Sequence, residues 1–146
     1  MGWNFNQGKP IYLQIIGHIQ AMILSGEYMP GDKIESVREF AALAGVNPNT
    51  MQKALQEMES MGLIITQRTS GRYITEDKDK IKALRDEVAL SKTQSYISDL
   101  ERLGYKIDEI EAFVLQHKKK QSKARGNLED LMREELKKSG KNNIEL

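Results

Sequence analysis

Cysteine is absent from the 146 residues, which excludes disulfides, thiolate metal sites and a cysteine nucleophile. Histidine is scarce: His18 and His117 lie far apart in sequence and no acidic cluster accompanies either, so metal ligation is not expected. A long apolar run is missing too, since every hydrophobic stretch falls well short of the ~20 residues of a membrane span. The opening residues, Met1-Gly2-Trp3-Asn4-Phe5-Asn6, carry no basic stretch followed by an apolar one and do not read as a signal peptide. No glycine loop is spaced to cradle a phosphate, and nothing arranges Ser, His and Asp as a triad. A cytoplasmic protein that is not an enzyme and holds no cofactor is the expectation. Excess charge is lacking as well. Twenty-two Lys and Arg against 21 Asp and Glu leave a formal net charge of +1, and residues 1–75 divide evenly between the two signs. Any affinity for a polyanion must then come from the arrangement of charges, not from their sum.

What is present is ordinary for a globular chain, with 39% hydrophobic and 29% charged residues. After Lys9-Pro10, where proline suits a first helical turn, Tyr12, Ile15, Ile16, Ile19, Met22 and Ile23 recur at steps of three and four and predict a helix with one apolar face, ending at Gly26. Pro30-Gly31 predicts a type II turn, and Ile34 suits a very short strand. Ser36-Val37-Arg38-Glu39 reads as a capping box opening a short helix that closes at Gly45. Asn47 as N-cap and Pro48 at the first helical position start another, which runs to about Met61 and stops at Gly62. Two short helices joined by a glycine-containing turn form a helix-turn-helix. Leu63–Thr66 and Tyr73–Thr75 are strand-like and flank a polar turn, giving a hairpin where a wing would follow.

Composition shifts at Glu76–Lys80, and the chain is divided there into an N-terminal domain, residues 1–76, and a tail, residues 77–146. The tail is expected to hold a helix from about Asp79 to Leu103, a second from Asp108 capped through Glu111, and a last helix from about Leu128 to Lys138; the basic run from His117 to Arg125 between them reads as a solvated helix end or a loose linker, with contact to flanking DNA as the alternative. Apolar stripes on the tail, represented by Ile81, Leu84, Val88, Ile97, Leu100 and Phe113, are assigned to a dimer interface. At about seventy residues the tail is short beside a typical domain of ~100–150, which argues against a separate ligand-binding domain.

The helix from Pro48 to Met61 carries the functional signal. Met51, Ala54, Leu55 and Met58 share its inner face, while Asn49, Gln52, Lys53 and Gln56 share the outer one. A merely solvated face favours Glu/Lys pairs. This stripe has no carboxylate, and amides with a cation suit base edges in a major groove. Ser36 and Arg38 stand at a helix N-terminus, where free N–H groups attract an anion. Thr50 lies in the first turn of the next helix beside Asn47. Arg68, Ser70, Gly71 and Arg72 equip the wing for phosphate or groove contact.

These segments together, from Pro10–Ile15 through Gly26, Pro30–Ile34, Ser36–Ala41 and Gly45–Thr50, resemble the GntR family of bacterial regulators. Asn47-Pro48-Asn49-Thr50 and the short tail resemble its YtrA-like subfamily. The resemblance covers roughly residues 9–75. It implies a winged helix-turn-helix in a mainly α fold, a homodimer on a palindromic double-stranded DNA operator, repression of transcription, and DNA contacts at Ser36, Arg38, Asn49, Thr50, Lys53 and Gly71. Two departures stand out. Glu35-Ser36 replaces the family's usual Pro-Ser, and Thr69-Ser70-Gly71 replaces a wing tip that usually holds a cation between glycines. That leaves Arg68 and Arg72 as the wing's cations. The alternative from another class is a winged-helix module for protein–protein contact, against which the outer stripe's want of apolar or aromatic anchors counts. No residue nominates an effector.

Overall fold

The computed structural model describes residues 2–142. Its elements run α1 (Ile11–Leu24), α2 (Val37–Ala44), α3 (Pro48–Ser60), β1 (Ile64–Gln67), β2 (Gly71–Ile74), α4 (Lys78–Arg102) and α5 (Ile107–Asn142). The chain is therefore mainly α with a two-stranded antiparallel wing. It divides into two compact units, Met1–Leu90 and Ser91–Leu146. Among the described residues no helix is long and apolar enough to cross a membrane.

In the first unit, α1 buries Ile15, Ile16, Ile19 and Ile23, the face that the three- and four-residue spacing predicts. Helix α3 packs on α1, α2 and β1, so Met51, Ala54, Leu55 and Met58 are all fully buried. The turn before α2 is as expected: Asp32 N–H donates to the Met29 carbonyl at 3.1 Å, and Gly31 takes φ +85°. The Ser36 hydroxyl accepts from the Glu39 N–H at 3.3 Å, and Asn47 Oδ1 accepts from the Asn49 N–H at 2.8 Å. Each cap thus satisfies a helical donor that has no partner within its own helix. Gly45, at φ +73°, ends α2 in the left-handed conformation that residues with a Cβ rarely adopt.

The wing pairs Ile64 with Ile74 through Gln67 with Gly71; β1 lies one residue later than the strand-like run suggests, and β2 begins two residues earlier and ends one earlier. Ile64 and Ile74 are buried and end the hairpin in the core. A single bridge from Lys33 to Tyr73 adds a third chain segment beside β2. This is the short strand expected near Ile34, displaced by one residue.

Residues 3–6 form a strap that periodicity does not reveal. Trp3 N–H donates to the Ala44 carbonyl at 3.0 Å, and the indole stacks on His18 with centroids 4.7 Å apart and meets Phe40 edge-on. The Gln14 amide clamps Asn6 from both sides, accepting from its N–H at 2.7 Å and donating to its carbonyl at 2.8 Å.

Helix α4 opens with Asp77, whose carboxylate accepts from the Asp79 and Lys80 N–H groups. Its first turns carry Ile81 and Leu84 into the core of the first unit, with Val88 packed against it. In the second unit, Gly104 at φ +94° closes α4, and the Tyr105 ring meets Phe113 edge-on at 5.2 Å. Helix α5 corrects two expectations. Its start is capped by Glu109, which accepts from the Lys106 N–H at 3.2 Å, two residues earlier than the Asp108/Glu111 box. It then continues without a break to Asn142, so the basic run is helical and no linker separates a last helix. Lys, Gln, Ala and Arg all favour helix, and Gly126 just after the basic run costs only about 1 kcal/mol, too little to end it.

Candidate nucleic-acid interface

The caps on α2 and α3 and the packing of α3's inner face fix which side chains look outward. Asn49, Lys53 and Gln56 are exposed along α3, and Thr50 and Gln52 are half-buried beside them. Asn47, at the N-terminal tip, has its side chain committed to the cap. The Lys53 ammonium stands 3.8 Å above the centroid of the Tyr12 ring, a cation–π contact that holds it at the α1 edge of the stripe. The acids of this helix lie toward its C-terminal end, with Glu59 turned to the wing.

A groove opens between the start of α2 and the wing. Its walls include Ser36, Arg38 and Glu39 on one side and Arg68, Ser70, Gly71 and Arg72 on the other. Ser36 accepts from the Glu39 N–H; the N–H groups of Val37 and Arg38, which line the groove, have no partner within the helix, as at any helix start. Arg38 and Arg68 are exposed. Ser70 donates to Gln67 Oε1 at 2.9 Å, which tightens the wing tip.

Arg72 is placed differently from the other wing residues. Its Nε donates to Glu59 Oε1 at 2.9 Å, and the two side chains are only 20% and 30% exposed. The Thr66 hydroxyl donates to the same carboxylate oxygen, and Arg72 Nη2 donates to Gln52 Oε1 at 3.4 Å. Burial acts to raise the Glu59 carboxyl, but hydrogen bonds from Thr66 and Arg72 and the guanidinium charge outweigh it and hold the group below its usual range. The guanidinium thus fastens the wing to α3 instead of facing solvent.

Lys33 belongs to the site although its local sequence does not single it out. The Lys33–Tyr73 bridge carries its side chain across Gly71, where a Cβ would stand 3.2 Å from Lys33 Cε. A cation is therefore present at the wing, supplied from the segment before α2 and not from the tip. The Pro30-Gly31 turn followed by Ile34 contained the signal, since it directs residue 33 back along the wing. Of the apolar tail positions, Ile81, Leu84 and Val88 meet the core of their own chain, while Ile97 and Leu100 are half-buried and Phe113 is exposed.

Comparison with known proteins agrees with this arrangement. Residues 11–74, from the start of α1 to the end of β2, match the family described as bacterial regulatory proteins, gntR family. The chain is 37% identical over 106 residues to the HTH-type transcriptional regulator YhcF of Bacillus subtilis, covering 73% of this chain and 88% of that one. It is 37% identical over 107 residues to the HTH-type transcriptional repressor YtrA of the same organism, covering 72% and 82%. A solved GntR family transcriptional regulator from Listeria monocytogenes superposes with a TM-score of 0.71 at 42% identity, over 77% of this chain and 98% of that one. The match spans most of this chain and most of each relative, and the chain belongs to the gntR family of bacterial regulatory proteins as a YtrA-like member.

Proposed function

We propose that this DNA-binding transcription regulator represses its target by seating a homodimer on a palindromic operator. Residues 1–76 read the DNA and residues 77–146 join two copies. The observation that carries this reading is the outer face of α3, where Asn49, Lys53 and Gln56 stand exposed with no carboxylate between them. Helix α3 enters the major groove. Gln52 and Gln56 address base edges with Asn49 and Lys53, while Ser36, Arg38, Asn47, Thr50, Arg68, Ser70, Gly71 and Lys33 fix the register on phosphates. Repression follows the named activity of the YtrA relative. Dimerisation draws on the apolar surface of the tail, where Leu103 is 72% and Val114 53% exposed on a single chain. Two copies would set their α3 helices about one DNA turn apart.

Selection of bound sequences from a random duplex library tests the reading. An inverted repeat should emerge, and Lys53→Ala should weaken or relax it. Failure to enrich any sequence at low salt would remove the operator and favour a protein partner for the winged helix.

A further inference from the structure

We propose that Arg72 is a positioning residue: it turns the Gln52 amide so that only its NH2 group meets the DNA, and Gln52 thereby selects a G·C pair over an A·T pair. The inference rests on α3 being the recognition helix and names what one of its side chains reads.

A guanidinium has donors and no acceptor. Arg72 is anchored by Glu59, with Nε and Oε1 2.9 Å apart and both groups mostly buried, and Thr66 steadies the same carboxylate. Its Nη2 then points at the Gln52 amide, 3.4 Å from Oε1. The amide has one way to accept that bond, which is to face Arg72 with its oxygen. Turning the other way would set an NH2 against a cation that cannot accept. Gln52 is half-buried at this junction, and what remains outward is the NH2.

An unconstrained glutamine suits adenine, accepting from N6 and donating to N7 through its two ends. With the oxygen turned toward Arg72, the adenine N6–H2 donor meets the amide's NH2 group instead of an acceptor. Guanine offers O6 and N7, two neighbouring acceptors, to a group that can only donate. The same side chain is thus assigned a different base by a neighbour whose guanidinium is engaged with Glu59.

The test is selection from a random duplex library with the full-length wild type, Gln52→Ala and Arg72→Met. Gln52→Ala identifies the base pair that Gln52 reads by flattening the preference there. At that pair the wild type should enrich G·C, and Arg72→Met, whose apolar side chain releases the amide oxygen, should shift it toward A·T by about fivefold or more while other pairs keep their preference. Should Arg72→Met fail to fold by circular dichroism, Glu59→Gln takes its place: it unanchors the guanidinium, and the same shift should appear at smaller size. A wild-type preference for A·T at that pair overturns the inference. So does a uniform loss of affinity with preferences unchanged, which is the mark of a bracket that merely holds the wing. Absence of any enriched sequence with the wild type strikes instead at the operator reading on which the inference stands.

Discussion

At the scale of single residues, the wing junction shows how a charge can serve the fold that a sequence offers to DNA. Arg72 was legible as a cation on a polar turn, and nothing in its spacing separated it from Arg68. What separates them is Glu59, thirteen residues earlier on another element, which the hairpin brings within 2.9 Å. The depressed Glu59 carboxyl has a thermodynamic consequence. A group whose folded pKa lies below its unfolded one adds stability above the unfolded value and loses it as pH falls through the folded one. Wild type should therefore exceed Glu59→Gln in urea-unfolding stability at neutral pH. The gap should shrink as the solution is taken through and below the ordinary glutamate range near pH ~4.3. A gap that stays constant down to acid pH would mean that the carboxylate's charge contributes nothing at this junction.

At the scale of elements, most of the N-terminal unit could be read directly because its boundaries are chemical. Ser36, Asn47, Pro48, Gly45 and Gly62 each do locally what helix ends require, and α2 and α3 begin and end close to where they say. Signals failed where structure is decided at a distance. The strap of residues 3–6 is held by Ala44 and His18, partners that no local pattern names. The run of like charges in α5 suggests a break, although charge repulsion along an exposed helix costs less than its high-propensity residues return. Among the site residues, the outer face of α3 followed from its periodicity, whereas Lys33 and the commitment of Arg72 both depended on the register of the wing. Two glycines give opposite tests of the same reasoning. Gly17 lies mid-helix in α1 with no atom within 4 Å of an added Cβ, while Gly45 holds φ +73° with Gly2 Cα 3.2 Å from such a Cβ. Gly17→Ala should stabilise by about 0.5–1 kcal/mol and Gly45→Ala should destabilise by more than that. Urea midpoints at unchanged slope decide both.

At the scale of the whole molecule, an overall charge of +1 implies that attraction to DNA depends on few, well-placed cations. Each should be visible in the salt dependence of binding. Lys33→Ala is expected to weaken operator binding evenly across base sequences and to reduce the slope of log affinity against log salt by about one. An unchanged slope would place Lys33 off the phosphates. The tail makes its own claim. With Phe113 41% exposed, Phe113→Glu should reduce the dimer population in sedimentation at micromolar concentration and weaken operator binding, while the monomer's helix content by circular dichroism is retained. A dimer as tight as wild type would move the interface to other faces of α4 and α5.

The strap also makes the protein its own optical reporter. Trp3 is the sole tryptophan of the chain, and its indole lies against His18 and Phe40, on α1 and α2 of the winged-helix unit. Light absorbed at the red edge of the aromatic band is emitted from that unit alone, and the tyrosines of the tail, Tyr96 and Tyr105, stay dark at that wavelength. Heating or denaturant followed by indole emission will register the loss of the DNA-reading half, and circular dichroism will follow the helices of both. Where the indole curve falls ahead of circular dichroism, the tail has kept its helices after the half that reads DNA has come undone.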